Sequence, residues 1–165
     1  MPEEEVVEQA RKDKEAGKSP STQAGEFVRE EMHHVREGKH GARSPQQAIA
    51  IGLSKARRAG VNLPTPKRGS SSKTPAQAAR DARKGQPPNR KRSVTRSRST
   101  TNALRKEGHS AASHASLSKQ AHSAASRRGA RSRHQSAAKA VRTKGKERMG
   151  AATRKAAGTR KRKAA

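Results

Sequence analysis

Three of the seven histidines, His33, His34 and His40, fall close together and beside Glu30 and Glu37. Imidazole and carboxylate together are a chemistry that binds divalent metal. Adjacent histidines project in different directions on a helix, however, and polar residues at a turn need no ligand to explain them, so no metal is expected. His109 and His122 read as exposed positions that add cation only at lower pH. Gly17-Lys18-Ser19 looks like the end of a phosphate-binding loop, but position 12 is lysine where the first glycine should stand and no strand precedes it. With no cysteine, disulfide frameworks, thiolate catalysis and Cys-type zinc sites are excluded together. No carboxylate pair or nucleophile with its base occurs in anything large enough to form a pocket, so neither catalysis nor a cofactor is expected.

The chemistry that the residue types do support is neutralisation of anions. The chain holds 40 Lys+Arg against 13 Asp+Glu, a net +27 over 165 residues. Such a field attracts polyanions, of which nucleic acid is the most abundant in a cell. The charge is uneven. Residues 1–37 hold ten acids and six bases, a net of −4, whereas the remaining 128 hold 34 bases and only Asp81, Glu107 and Glu147 as acids, a net of +31. The side chains expected on phosphates are Lys55, Arg57 and Arg58 in the head; Arg90, Lys91, Arg92, Arg96, Arg98, Arg105 and Lys106; Lys119, Arg127, Arg128, Arg131 and Arg133; Lys139, Arg142, Lys144, Lys146 and Arg148; and Arg154, Lys155, Arg160, Lys161, Arg162 and Lys163. Contacts of this kind position a protein on a nucleic acid without reading bases.

Few elements are available to position these groups. Leu, Ile, Val and Phe total 14 residues, below the level at which disorder becomes the expected state. Adding Met gives 17 large apolar residues, 12 of them at or before Leu63, which confines a packed core to the first third. In residues 26–36, Val28, Met32 and Val35 recur at helical spacing beside Phe27, and Gly38 and Gly41 end the pattern. A second helix has Ser44 as cap, Pro45 at its first position, Gln47 three residues after the cap and Gly60 past its end. Its stripe of Ile49, Leu53 and Ala56, with Ala48 and Ile51 alongside, would face the first helix across a short connection. So small a core needs help, from an N-terminal helix carrying Val6, Val7 and Ala10 or from self-association.

The expected fold is thus an all-α head over residues 1–63, a helical hairpin or three helices. A Pro/Gly/Ser-rich linker over 64–88 follows, with a short helix started by Thr74, Pro75 and Gln77 and stopped at Gly85. The remainder, 89–165, is expected to be a largely disordered, partly helical basic tail.

Met32-His33-His34, Gly38-Lys39-His40-Gly41 and the run from Gln47 to Arg57 resemble a small bacterial family of unknown function found in short basic proteins, often labelled DNA-binding or plasmid-stabilising. The resemblance covers about residues 26–60 and brings no catalytic residue with it. The helix pair is also similar to a helix-turn-helix, with Lys55, Arg57 and Arg58 late on the second helix. Groove-reading helices make base contacts near their N-termini, where only Gln46 and Gln47 stand, so a plain helical hairpin is the simpler reading.

The tail, 89–165, carries 23 Lys+Arg and two acids. Its segments 104–113, 117–126 and 130–139 align as a repeat of 13 residues. Thirteen residues at about 100° each do not return to one helix face, so the repeat distributes cations rather than building a buried stripe. The composition resembles histone H1-type tails and the lysine- and alanine-rich tails of bacterial histone-like proteins. Phe27 is the sole aromatic, which removes the stacking platforms that grip single strands and RNA loops. Duplex DNA is therefore expected over RNA, bound largely without sequence preference, as by a nucleoid- or plasmid-associated histone-like protein. The alternative is an adaptor whose head binds a protein partner while the tail tethers it to RNA, ribosome or DNA. The acidic start and the lack of an apolar run of about 20 residues predict a cytoplasmic, nucleoid-associated protein with no membrane partner.

Overall fold

A computed structural model describes residues 3–66, 73–85 and 93–145, together with positions 150 and 154. Among these are seven α-helices, one 3₁₀ turn and no strand. The helices are α1 (Glu4–Glu15), α2 (Pro20–Arg36), α3 (Pro45–Arg58), α4 (Lys73–Lys84), α5 (Val94–Arg105), α6 (His114–Arg127) and α7 (Ala130–Lys144). Residues up to Gln120 form one compact unit and those from Ala121 a second.

Local chemistry fixes the ends. α2 begins six residues before the predicted span: Ser19 accepts a hydrogen bond from the Thr22 N–H and Pro20 fills the first turn. The pattern is the one that starts α3, where Ser44 accepts from the Gln47 N–H, and the Gln47 side chain reaches back to the Arg43 N–H at 2.8 Å. Glycines with φ near +75° and +89°, Gly38 and Gly60, follow the last residues of α2 and α3, a conformation that costs glycine little.

The apolar faces of α2 and α3 meet as their periodicity requires. One cluster joins Met32, Val35, Ala42 and Ala48 with Val28 and Ile49; the other joins Phe27 and Ala56 with Leu53, Val6, Val7 and Ala10 of α1. The two helices cross at Gly52, where an added Cβ would stand 2.7 Å from the Val28 Cα. Among the described residues, eight of the twelve buried apolar ones are alanines, which bring helices close but remove little area from water individually.

A hairpin or a three-helix head is too small a description of this unit. α4 packs on α3, burying Ala78 and Asp81. The 3₁₀ turn Ser110–Ala112 packs on α2 and α3 and places Ala111 and Ala112 in the core, with Leu117 against them. Core material is thus drawn from beyond Leu63, and much of it is alanine, which a count of large apolar residues omits. The connection to this turn is backbone to backbone: Gly41 N–H donates to Leu104 O and Ala42 N–H to Gly108 O, both at 2.9 Å. At Gly41 an added Cβ would fall 1.8 Å from the Glu107 carbonyl oxygen, so only glycine fits.

In the second unit no described residue of α7 is buried. Arg133 donates from Nη1 to the Arg128 carbonyl at 2.7 Å, supplying cation to the carbonyl end of the preceding helix.

Candidate nucleic-acid interface

The lysines and arginines of the head are largely engaged by its own acids. Lys12 pairs with Glu8, Arg11 with Glu15, Lys18 with Asp13, Arg29 with Glu26, and Lys39 with Glu3 and Glu37. Lys55, expected on a phosphate, turns inward instead: its ammonium lies 3.1 Å from Glu30 and 2.7 Å from Glu31, both buried. The reason is that the acids of α2 at 30 and 31 face α3, and a buried carboxylate requires a cation beside it.

Arg58 donates to Asp81 from Nε and Nη2, at 2.8 and 2.7 Å, and Ser54 and Gln77 donate to the other oxygen of the same carboxylate. Burial pushes the Asp81 carboxyl up, but these donors together outweigh it and hold the group below its ordinary value. Lys18 and Gln9 likewise hold Asp13 down. Arg57 is half-buried. The cationic end of α3 is therefore partly consumed in fastening α4.

The described cations from Ser93 onward are placed differently. Arg96, Arg98 and Arg105 on α5, then Lys106, Lys119, Arg127, Arg128, Arg131, Arg133, Lys139 and Arg142, are all exposed. Residues 93–145 contain a single acid, Glu107, and its carboxylate is taken by Arg43 at 3.0 Å. On α7, Arg131, Lys139 and Arg142 fall within about 80° of one another, so one face carries a basic stripe. Arg154 is also exposed. Lys144 is described for its backbone alone, and Arg90, Lys91, Arg92, Lys146, Arg148, Lys155, Arg160, Lys161, Arg162 and Lys163 lie outside the described residues.

The histidines separate by burial. His33 is exposed, whereas His34 and His40 approach each other with ring centroids 6.0 Å apart, edge to face. The acid that joins them is Glu31, not the neighbouring Glu30 or Glu37 noted in the sequence: its Oε1 is 3.1 Å from His40 Nε2. A ligand atom from each of Glu31, His34 and His40 lies within 4.8 Å of the others. Glu3, preceding α1, meets His34 Nε2 at 3.0 Å, while its own N–H donates to Glu30 at 2.6 Å. Helical register was the signal that could have found position 31, because i and i+3 bring Glu31 and His34 to one face of α2.

Among the described residues this is a small helical protein whose head pairs most of its cations with carboxylates, followed by a stretch, 93–145, with exposed cations and a single acid. Residues 11–68 match the model of a family of unknown function (DUF6496), a span that reaches further in both directions than the resemblance read from residues 26–60. No curated protein and no solved structure matches the chain. Among the described residues no helix is long and apolar enough to cross a membrane.

Proposed function

We propose that this chain binds duplex DNA largely without sequence preference, through phosphate neutralisation by its cations beyond Ser93, as a nucleoid- or plasmid-associated histone-like protein does. The observation that carries the reading is the contrast in pairing. Most head cations are matched to carboxylates, whereas eleven exposed Lys and Arg side chains between Arg96 and Arg142 share a stretch with one acid, itself occupied by Arg43. Exposed cations release counterions when they meet phosphate, and that release supplies affinity for any sequence.

Helices of 12–15 residues with little buried surface gain stability when a polyanion lines their basic faces, because isolated helices of this length are marginal. The single aromatic residue leaves no platform on which unstacked bases could lie, which favours duplex over single strands and RNA loops. Catalysis has no place in this reading.

Competition between duplex DNA of random sequence and RNA hairpins of equal charge tests it, together with a variant in which Arg127, Arg128 and Arg131 become alanine. The expected result is duplex preference and a salt slope shallower by about 0.9 for each phosphate contact removed. Preference for RNA loops, or an unchanged slope, would favour an adaptor that is tethered by its tail and recruits a protein partner through its head.

A further inference from the structure

We propose that Glu31, His34 and His40 form a structural binding site for one divalent transition metal ion, with Glu3 orienting the His34 ring. The inference is independent of DNA binding. Glu31 is wholly buried, and neither of its oxygens accepts a hydrogen bond. The two groups near it, Lys55 at 2.7 Å from Oε2 and His40 at 3.1 Å from Oε1, stand at ion-pair distance outside hydrogen-bond geometry. A buried carboxylate left in this state marks a position where another electrophile belongs.

The donors around it are arranged for one. His40 Nδ1 lies 3.1 Å from the Gly41 carbonyl, the outer hydrogen bond that leaves Nε2 as the lone-pair nitrogen, and Nε2 is the atom facing Glu31. The 3.1 Å between Nε2 and Oε1 is close to the roughly 3.3 Å that separates two ligand atoms held at about 2.0–2.1 Å by a tetrahedral ion. His34 is buried and completes a three-donor face, and the carboxylate of Glu3 beside its Nε2 is the kind of partner that fixes the ring of a metal-binding histidine.

Charge agrees with geometry. Glu30 and Glu31 share the one ammonium of Lys55, leaving one negative charge for an ion to meet, and Lys55 on Oε2 leaves Oε1 as a monodentate ligand. Two imidazoles and a carboxylate suit zinc, cobalt or nickel better than magnesium or calcium. A surface cleft of about 210 Å³, lined by Glu3, Glu30, His34 and Lys39 among others, reaches one of the three ligands, His34. The bound ion would tie the segment before α1, the last turns of α2 and the α2–α3 loop together, the kind of staple a small alanine-rich core needs.

Titration of the full, chelator-treated chain with zinc chloride, followed by calorimetry and thermal melting, tests the site. One tight ion per chain and a melting temperature that rises with zinc are expected. His34→Ala and His40→Ala should each weaken the tight site at least tenfold, while His33→Ala, an exposed ring, leaves it unchanged. Because those variants can unfold, cobalt chloride is added to the unsubstituted chain as well, where it should broaden the ring resonances of His34 and His40 first. Absence of a tight site in the unsubstituted chain would show that the cluster is only an imidazolium–carboxylate pair and overturn the proposal. So would equal affinity in folded His34 and His40 variants, or broadening confined to the other histidines.

Discussion

A lysine near the C-terminus of a basic helix has the same sequence signature whether it faces solvent or lies under two carboxylates, and Lys55 is the second case. Its worth is structural: Lys55→Ala would leave Glu30 and Glu31 buried without a cation, and loss of one partner of a buried pair costs about 3–5 kcal/mol. Urea denaturation should register that loss, while DNA affinity measured where the variant remains folded should stay within about twofold of the parent, since no phosphate contact is removed.

Acid works on two other carboxylates of the head and α4. Asp13 and Asp81 are held below the ordinary aspartate value of 3.8. A carboxyl depressed in the folded state contributes stability in full above its unfolded value, and that contribution is lost as the pH falls through the folded one. The melting temperature is therefore expected to hold down to about pH 4 and then fall. In Asp81→Asn the fall below that point should be shallower; an identical acid limb would disprove the assignment.

At the scale of elements, the helix starts were legible wherever chemistry is local. Ser44-Pro45 and Thr74-Pro75 signalled α3 and α4 to within a residue or two, and Ser19-Pro20 offered the same signal for α2, obscured by its likeness to a phosphate loop. The facing stripes of Val28, Met32 and Val35 against Ile49, Leu53 and Ala56 followed from periodicity alone. What sequence patterns did not disclose is how one motif takes two forms. His-Ser-Ala-Ala-Ser is a 3₁₀ turn with buried alanines at 109–113, and part of a helix with no buried residue at 122–126. The difference is tertiary: Gly41 and Ala42 bind the backbone before the first copy, and nothing in the repeat itself encodes that partner. A chain ending at Asn89 is therefore expected to lose stability along with its tail, because Ala111, Ala112 and Leu117 leave the core, whereas one ending at Gly129 should melt like the full chain. Equal melting temperatures for the two truncations would contradict the packing of residues 104–117.

For the whole molecule the governing quantity is where charge is compensated. An acid-rich beginning was plain in the sequence; that its acids engage most of the head cations, while those described from Arg96 to Arg142 stand exposed, emerges only from the fold. The candidate site residues were accordingly legible as a composition and not as a surface, since exposure separates Arg96 or Arg131 from Lys55 and composition cannot. This separation is why affinity is attributed to residues beyond Ser93. The most direct measurement is the dependence of binding on salt, for the full chain on several unrelated duplexes. With about eight cations on phosphates, log K should fall against log salt with a slope near −7, at similar affinity for every sequence. A slope shallower than about −2, or strong discrimination among the duplexes, would contradict an account in which uncompensated charge does the binding.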